Sequence, residues 1–290
     1  MKQIVVVSGK GGTGKTVITA AFAAVAEKKI LVDCDVDAAD LHLLVHPEIR
    51  QRHEFRSGQT AVINEKLCTH CGQCVSACRF EAIKPAGQIE EFSCEGCGLC
   101  ARVCPNGAIT MRENVAGEWF ISETKYGPFV HAKLGIAEEN SGKLVAKIRQ
   151  VAKELAETQD LAYVIIDGPP GIGCPVIASL AGVDCAIIVT EPTLSGLHDA
   201  ERVMELARHF KIPVKVVVNK FDLNTAMTEK IEGLCRRRNV PVIGRIAFDP
   251  TVVQALVAGV PILEYAACPL AGEIRKIWER LAHLLNSGRI

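Results

Sequence analysis

The sequence predicts an α/β protein: a doubly wound, mostly parallel sheet with a small inserted α+β domain. Three observations support this fold class. An apolar strand, a helix and a second strand open the chain between residues 3 and 35, which indicates a right-handed βαβ unit. From residue 141 onwards, apolar segments alternate with amphipathic ones, as buried parallel strands and their covering helices do. A cysteine-rich segment between these regions fits neither pattern.

The elements are predicted in chain order. "QIVVVSG" is the first strand, a helix follows from Lys15 to about Lys28, and "KILVDCD" is the second strand. "GEWFISETKYGPFVHAKLG" is predicted to form a hairpin, with His131 as a sheet residue, and "SGKLVAKIRQVAKELAE" to form a helix that leads back to the sheet. Later strands are "YVIIDG", "CAIIVTEP", "VKVVVNK" and "VPVIGRIAF". The last helix is predicted to pack on the core through Leu270, Ile274, Ile277, Trp278, Leu281 and Leu285 rather than on a membrane.

Composition narrows the functional classes. The 290 residues suffice for one large and one small domain, and 33 basic residues balance 33 acidic ones. Zero net charge gives no electrostatic support for binding nucleic acid or an anionic membrane. A strand follows the initiator directly and no apolar stretch is long enough to span a bilayer, so we expect a cytoplasmic protein. Its 13 cysteines then favour metal over disulfides.

Eight of those cysteines lie in two copies of the pattern C-x2-C-x2-C-x3-C. "INEKLCTHCGQCVSACRFEAI" starts at Ile63 and "IEEFSCEGCGLCARVCPNGAI" starts at Ile89, an offset of 26 residues throughout. Bacterial ferredoxins hold [4Fe-4S] clusters with this spacing, whereas zinc sites pair two C-x2-C halves across a longer gap. We therefore predict a bacterial-ferredoxin-like domain at residues 63–111, inserted into an α/β domain of residues 1–62 and 112–290.

The resemblance to two-cluster ferredoxins implies a ligand set for each cluster, because there the fourth cysteine of each run binds the other cluster. One departure is that Arg79 follows the last cysteine of the first run, where Pro105 follows that of the second. The implied ligands are Cys68, Cys71, Cys74 and Cys104 for cluster one, and Cys94, Cys97, Cys100 and Cys78 for cluster two.

A phosphate-binding loop opens the chain. Residues 9–16 fit G-x-x-x-x-G-K-[ST] between a strand and a helix, where backbone N–H groups and the helix N-terminus can surround phosphate oxygens. We expect Lys15 to contact the β- and γ-phosphates of ATP or ADP, and the Thr16 hydroxyl to bind Mg²⁺. The predicted loop ligands are Gly9, Lys10, Gly11, Gly12, Thr13, Gly14, Lys15 and Thr16.

The second lysine of "GKGGTGKT", Lys10, makes this loop resemble the deviant Walker A motif of the MinD/ParA/Mrp ATPases. The resemblance covers residues 1 to about 62 and about 112–290. It implies a P-loop NTPase fold, ATP hydrolysis, and a homodimer with ATP at the interface, because the family's extra lysine contacts the partner's nucleotide. An exposed loop lysine is the alternative for Lys10.

Other segments extend the resemblance. "VDCDVDAAD" is similar to switch I, where Asp35 would position the attacking water, with Lys10 and Lys15 completing the catalytic set. "VIIDGPPG" is similar to the Walker B segment, where Asp167 would hold Mg²⁺ through a water. Asp33, the first aspartate of the segment similar to switch I, could simply cap the end of a strand. Asn219, Asp249 and Pro250 match positions near the adenine.

The combination resembles a subgroup of MinD-type ATPases that contain an inserted ferredoxin domain. We predict an ATPase whose nucleotide-dependent dimer controls electron transfer through two [4Fe-4S] clusters to a redox partner protein. The alternatives are an iron–sulfur cluster carrier and a positioning ATPase with redox-sensing clusters. Cys174 has the offset from Asp167 of a cluster ligand in the nitrogenase iron protein, but we expect a small structural residue that neither cluster needs.

Overall fold

The computed structural model describes residues 1–135 and 141–288. Contacts among the described residues divide the chain into two compact units. The larger unit comprises Met1–Arg52, Trp119–Lys133 and the chain from Ser141 onwards. The smaller comprises His53–Glu118 and the segment that begins at Leu134, so it extends beyond the predicted residues 63–111 at both ends.

The sheet is mostly parallel, as predicted. Within the described residues nine strands join in the order β3-β4-β5-β2-β6-β1-β7-β8-β9, and strands β1, β2, β6, β7, β8 and β9 pair in parallel. The larger unit contains the central strands, whose residues are buried on both faces. The bounds are Lys2–Ser8 (β1), Lys29–Asp33 (β2), Glu48–Ile63 (β3), Ile109–Thr124 (β4), Gly127–Leu134 (β5), Tyr163–Pro170 (β6), Cys185–Thr190 (β7), Val214–Asn219 (β8) and Val242–Ile246 (β9).

Helices connect these strands, and among the described residues a side chain caps the N-terminus of two helices. The hydroxyl of Thr193 accepts a hydrogen bond from the Gly196 N–H at 2.9 Å, and the Asn224 side chain accepts one from the Met227 N–H at 3.0 Å. The first helix ends at Val25, earlier than predicted. The α-helices are Lys15–Val25 (α1), His42–Val45 (α2), Gln73–Ala77 (α3), Leu99–Val103 (α4), Ser141–Thr158 (α5), Cys174–Leu180 (α6), Leu194–His209 (α7), Thr225–Arg237 (α8), Thr251–Val257 (α9), Ile262–Tyr265 (α10) and Pro269–Asn286 (α11).

Helix α11 packs on the core of the larger unit, as predicted. The ring centroid of Trp278 on α11 lies 5.2 Å from that of Phe22 on α1 and 5.2 Å from that of Tyr163 on β6. All six apolar residues predicted on its packed face are buried. Among the described helices, none combines the length and the apolar character that crossing a bilayer requires.

The predicted hairpin is formed by β4 and β5. Thr124 makes its turn, because its hydroxyl donates to the Gly127 carbonyl at 2.8 Å and accepts from the Tyr126 N–H at 3.0 Å. His131 on β5 stacks between the rings of Phe120 and Phe129, and its Nε2 lies 3.0 Å from the Ser122 hydroxyl. Burial lowers the pKa of His131 to about 4, so it is a neutral sheet residue, as expected.

The smaller unit repeats its backbone contacts at the 26-residue offset. The Asn64 N–H donates to the Ala108 carbonyl at 2.7 Å, and the equivalent Glu90 N–H donates to the Ala82 carbonyl at 2.8 Å. An antiparallel bridge joins Ile83 to Ile89. The buried residues Ala61, Ile83, Cys100 and Ile109 form the apolar cluster of this unit.

Candidate nucleotide and cysteine sites

The phosphate loop joins β1 to α1 in the larger unit. Gly14, which directly precedes α1, has a φ of 94°, in the left-handed region that favours glycine. A Cβ at Gly9 would lie 2.1 Å from the Cβ of Asp199, so only glycine fits there. A cavity of about 640 Å³ opens beside the loop, and Lys15, itself buried, lines it.

Thr16 and Asp167, the two residues predicted to serve Mg²⁺, contact each other. The Thr16 hydroxyl donates to Oδ2 of Asp167 at 2.7 Å, and the Thr19 hydroxyl lies 2.9 Å from Oδ1. Burial raises the pKa of Asp167, while the hydrogen bond from Thr16 and the charge of Lys15 oppose that rise. Strand β6 therefore places the buried carboxyl group of Asp167 directly at the start of α1.

Asp33 orders the segment that resembles switch I. Its carboxylate accepts hydrogen bonds from the N–H groups of Asp35, at 3.1 Å, and Leu41, at 3.2 Å. Burial, together with the charge of Asp167, raises the pKa of Asp33 well above its usual range. Asp33 thus performs the strand-end capping role that the sequence left open for it.

Asp35 lines the same cavity as Lys15 and Thr16. Burial raises the pKa of its carboxyl to about 6, and the positive charge of Lys15 opposes the rise. The carboxyl is therefore ionised at neutral pH but more basic than an exposed aspartate. Asp37 and Asp40, for which the sequence offered no firm role, also line this cavity.

Lys10 contacts residues of its own chain. Its ammonium lies 2.5 Å from Oε1 of Glu191, 3.3 Å from the Thr193 hydroxyl and 3.2 Å from the Ser195 hydroxyl. These three residues lie between β7 and the first turn of α7. Lys10 is thus not a free loop lysine in this conformation.

Glu191 is shared with a second lysine that sequence reasoning missed. The Lys220 ammonium lies 3.2 Å from Oε2 of Glu191 and donates to the Gly12 carbonyl at 3.3 Å. Lys220 follows β8 directly, so it stands where parallel strands present their carboxyl ends. Its position after the predicted Asn219 was the signal that could have identified it.

A second cavity, of about 190 Å³, lies beside the predicted adenine residues. Asn219 and Asp249 line it together with apolar side chains that include Val17, Ile18 and Val252. The Asn219 amide donates to the Thr13 carbonyl at 2.8 Å, and Oδ1 of Asp249 accepts from the Thr251 N–H at 2.8 Å. Asn219 therefore ties β8 to the phosphate loop, while Asp249 and Pro250 start α9.

In the smaller unit, one cavity is lined by Cys68, Cys71, Cys74 and Cys104. Burial raises the pKa of the Cys74 thiol, and the neighbouring Cys68 and Cys104 raise it further. The fold thus brings three cysteines of the first repeat to one of the second. His70 lines the same cavity.

The second set of cysteines is brought together in part. Burial raises the pKa of Cys100, with Cys94 and Cys97 adding to the rise. Cys78 packs against the apolar cluster that also contacts Cys94. Within residues 1–135 and 141–288, no three or more His, Cys, Asp and Glu side chains form a group that could hold a metal ion.

The five remaining cysteines differ in exposure. Cys34, Cys185 and Cys235 are buried, and Cys268 is partly buried. Cys174 begins α6 and is exposed, so it does not fill a core position. The sequence suggested a small structural residue there. The close contact restricts Gly142 rather than Cys174, because a Cβ on Gly142 would lie 3.2 Å from that of Cys174.

Comparison with known proteins agrees with the phosphate-loop geometry. The family model of the CobQ/CobB/MinD/ParA nucleotide binding domain matches residues 4–262. The chain belongs to this family. An uncharacterised protein of Methanocaldococcus jannaschii is 31% identical over 98% of this chain and 97% of its own length.

Named members of the family are more distant. The septum site-determining protein MinD of Bacillus subtilis is 25% identical over 90% of this chain and 81% of its own length. The solved structure of the septum site-determining protein MinD from Pyrococcus horikoshii, complexed with Mg-ADP, aligns with a TM-score of 0.61 and 19% identity. That alignment covers 98% of this chain and 96% of the other, and it shows the shared α/β P-loop fold.

Proposed function

We propose that this chain is an ATP-hydrolysing iron–sulfur protein whose nucleotide-dependent homodimer controls electron transfer through two [4Fe-4S] clusters to a partner protein. The observation that carries the iron–sulfur half is the cavity lined by Cys68, Cys71, Cys74 and Cys104. Three of these thiols come from the first repeat and one from the second, which is the exchange that two-cluster ferredoxins use.

The nucleotide half rests on the phosphate loop. Lys15 lines the loop cavity and would neutralise charge on the terminal phosphates of ATP. Thr16 and Asp167, already in hydrogen-bond contact, would hold Mg²⁺, Asp167 through a water. The buried hydroxyl of Thr13, which lacks a partner among the described residues, is a further polar group that a bound nucleotide would satisfy. When bound, Mg²⁺ supplies positive charge to the transferred phosphoryl group.

Asp35 would orient the attacking water. Its carboxylate lines the cavity that Lys15 and Thr16 line, and its pKa of about 6 leaves it ionised at neutral pH. An ionised carboxylate can accept a hydrogen bond from water and hold it in line with the phosphate. The hydrogen bond that the Asp35 N–H donates to the Asp33 carboxylate fixes the backbone of this residue.

Dimerisation would change the contacts of Lys10. In the family, the equivalent lysine contacts the nucleotide of the partner subunit, whereas here Glu191, Thr193 and Ser195 hold the ammonium within the chain. A phosphate of ATP offers more negative charge than one shared carboxylate, so it could replace them. We therefore expect ATP, and not ADP, to favour the dimer.

The spacing of the cysteines is typical of iron–sulfur clusters rather than of a single metal ion. Cys68, Cys71, Cys74 and Cys104, which line one cavity, would hold one cluster. The Ala108 N–H donates to Sγ of Cys104 at 3.3 Å, which is the kind of backbone contact that stabilises a ligating thiolate. When bound, each cluster supplies a one-electron store.

Chain connectivity offers a route for coupling. The segment ordered by Asp33 is followed by α2 and then by β3, which belongs to the smaller unit from His53 onwards. Switch segments of P-loop proteins rearrange with the γ-phosphate, so a rearrangement here has a short covalent path to the cysteine repeats.

Iron and sulfide analysis after anaerobic purification tests the cluster assignment. We expect about eight irons per chain, which is the content of two cubanes. Cys174→Ser should retain all of it, because both ligand sets are complete without Cys174. One cluster per chain, stoichiometric zinc, or loss of iron in this variant would contradict the assignment.

A positioning ATPase is the second candidate, favoured by the match to the MinD of Bacillus subtilis. It would use clusters, if at all, to sense redox state. Reduction potentials measured without nucleotide, with ADP, and with ATP on Asp35→Ala separate the two functions. Equal potentials and reoxidation rates in the presence of the redox partner would favour positioning. The cluster-carrier alternative is disfavoured because Cys235 and Cys268 form no C-x-x-C pair.

A further inference from the structure

The two cysteine repeats differ in the polarity of the residues at two equivalent positions around their first two cysteines. Phe92 is 89% exposed and Leu99 is 43% exposed, and they lie on either side of Cys94 and Cys97. At the 26-residue offset, the first repeat carries the exposed polar residues Lys66 and Gln73 at these positions.

This difference is not imposed by the fold. Ser76 N–H donates to the Gly72 carbonyl at 3.1 Å, and the equivalent Arg102 N–H donates to the Gly98 carbonyl at 3.3 Å. Because the backbone is repeated, the first repeat shows that polar side chains suit both positions. Exposed apolar side chains bordered by polar ones are a feature of protein-interaction sites, so this loop is a candidate for one. Cys97 itself is exposed between them.

The charges of the second repeat indicate what covers it. Glu90, Glu91 and Glu95 stand where the first repeat has Asn64, Glu65 and Thr69. Glu95 is exposed and has no ion pair among the described residues. Glu91 pairs with Arg112 at 3.1 Å and Glu90 with Lys84 at 3.3 Å, but these pairs are exposed and therefore weak. A partner's own cations could replace them.

We propose that residues 90–99 form a docking surface for a redox protein whose contact face has an apolar centre and a rim of Lys and Arg. The proposal rests on the proposed function, since Cys97 would then hold cluster two at the centre of this surface. After a low-potential donor has reduced that cluster, one electron passes to a one-electron acceptor in the partner. No bond forms or breaks, and no proton moves.

Cytochrome c is a suitable probe, because it is a small cationic redox protein whose haem edge is surrounded by lysines. Its ferric form would be titrated calorimetrically into the oxidised full chain, purified anaerobically, at low ionic strength. The double variant Phe92→Gln, Leu99→Gln keeps the charge unchanged and should weaken binding about tenfold. Glu95→Gln should weaken it less and reduce its dependence on salt.

The matched control is Leu67→Ser. Leu67 is 51% exposed in the first repeat, and Ser is the residue that the second repeat has at the equivalent position 93. This control should bind cytochrome c within about twofold of the unaltered chain. A second readout is the rate at which the dithionite-reduced chain reduces cytochrome c. That rate should fall in the double variant, while the rate with ferricyanide, which needs no docking, should not.

The outcomes separate the two proposals. If the double variant contains full iron and binds cytochrome c as tightly as the unaltered chain, the docking surface is wrong and the proposed function stands. An equal loss in Leu67→Ser would also contradict the surface, because the effect would not be specific to the second repeat. An unaltered chain without iron would overturn the proposed function, and the calorimetric titration would still decide whether the surface binds.

Discussion

The two cysteine repeats have the same backbone conformation at equivalent positions, but they differ in which side chains fit there. His70 and Gly96 occupy equivalent positions and both have a left-handed φ, 51° and 61°. A Cβ at Gly96 would lie 2.3 Å from the Gln59 carbonyl oxygen, whereas the ring of His70 has room beside Gly87. Repetition therefore sets the local conformation, and the neighbouring chain decides whether a side chain fits.

A second pair makes the opposite point. Glu81 and Gly107 are also equivalent and left-handed, with φ of 53° and 58°. Nothing lies within 4 Å of a Cβ at Gly107. Glycine is therefore favoured at this position only because it adopts a left-handed conformation easily. The comparison separates two reasons for glycine, lack of space at Gly96 and conformational ease at Gly107.

The largest expected effect is that of Gly96→Ala. It combines left-handed strain of about 1–2 kcal/mol with overpacking against a backbone oxygen of about 1–3 kcal/mol. Urea unfolding should show a loss of about 2–5 kcal/mol. Its control, Gly107→Ala, should cost only the strain. Equal losses in the two variants would show that the contact with Gln59 does not matter.

Single cysteine replacements should show which cysteines hold each of the two proposed clusters. Cys74→Ser is expected to remove cluster one and Cys100→Ser cluster two, each lowering the iron content from about eight to about four atoms per chain. Replacing the fourth ligand of a cluster, which comes from the other repeat, gives the sharper test. Cys104→Ser, in the second repeat, should produce the same spectral change as Cys74→Ser. A match with Cys100→Ser instead would reverse the assignment of the fourth ligands.

The Asp35 carboxyl should make ATP hydrolysis depend on pH. Its folded pKa is raised to about 6, so ATP hydrolysis should fall as pH decreases through about 6, when the carboxyl becomes protonated. Iron content should stay constant over the same range. Asp35→Asn should abolish most hydrolysis at every pH. A hydrolysis rate that stays level between about pH 5 and 8 would show that this carboxyl does not hold the water.

The smallest expected effect is that of Arg79→Pro, which gives the first repeat the proline of the second. Arg79 lies over the Phe80 ring, 4.7 Å from its centroid, a contact worth about 0.5–1 kcal/mol when exposed. Proline stabilises by about 0.4–1 kcal/mol through the unfolded chain. The change in unfolding free energy should therefore stay within about 1 kcal/mol, with full iron retained. Loss of a cluster would mean that the residue after Cys78 shapes the site.

Much of this protein was predictable from local patterns. The apolar strands, the loop at residues 9–16 and the 26-residue repeat are all encoded by residues close together in the chain. Backbone conformation and short-range spacing determine such features, which is why the α/β sheet and the hairpin agree with the prediction. Even the buried face of α11 follows from its helical periodicity.

The tertiary structure alone decided which distant residues meet. Glu191 holds Lys10 and Lys220, and the Asn219 side chain is tied to the phosphate loop. Neither contact has a local signature, because each depends on how separate strands and helices pack. The sequence by itself determined the chemistry available at each position, and packing determined which of those groups can act together.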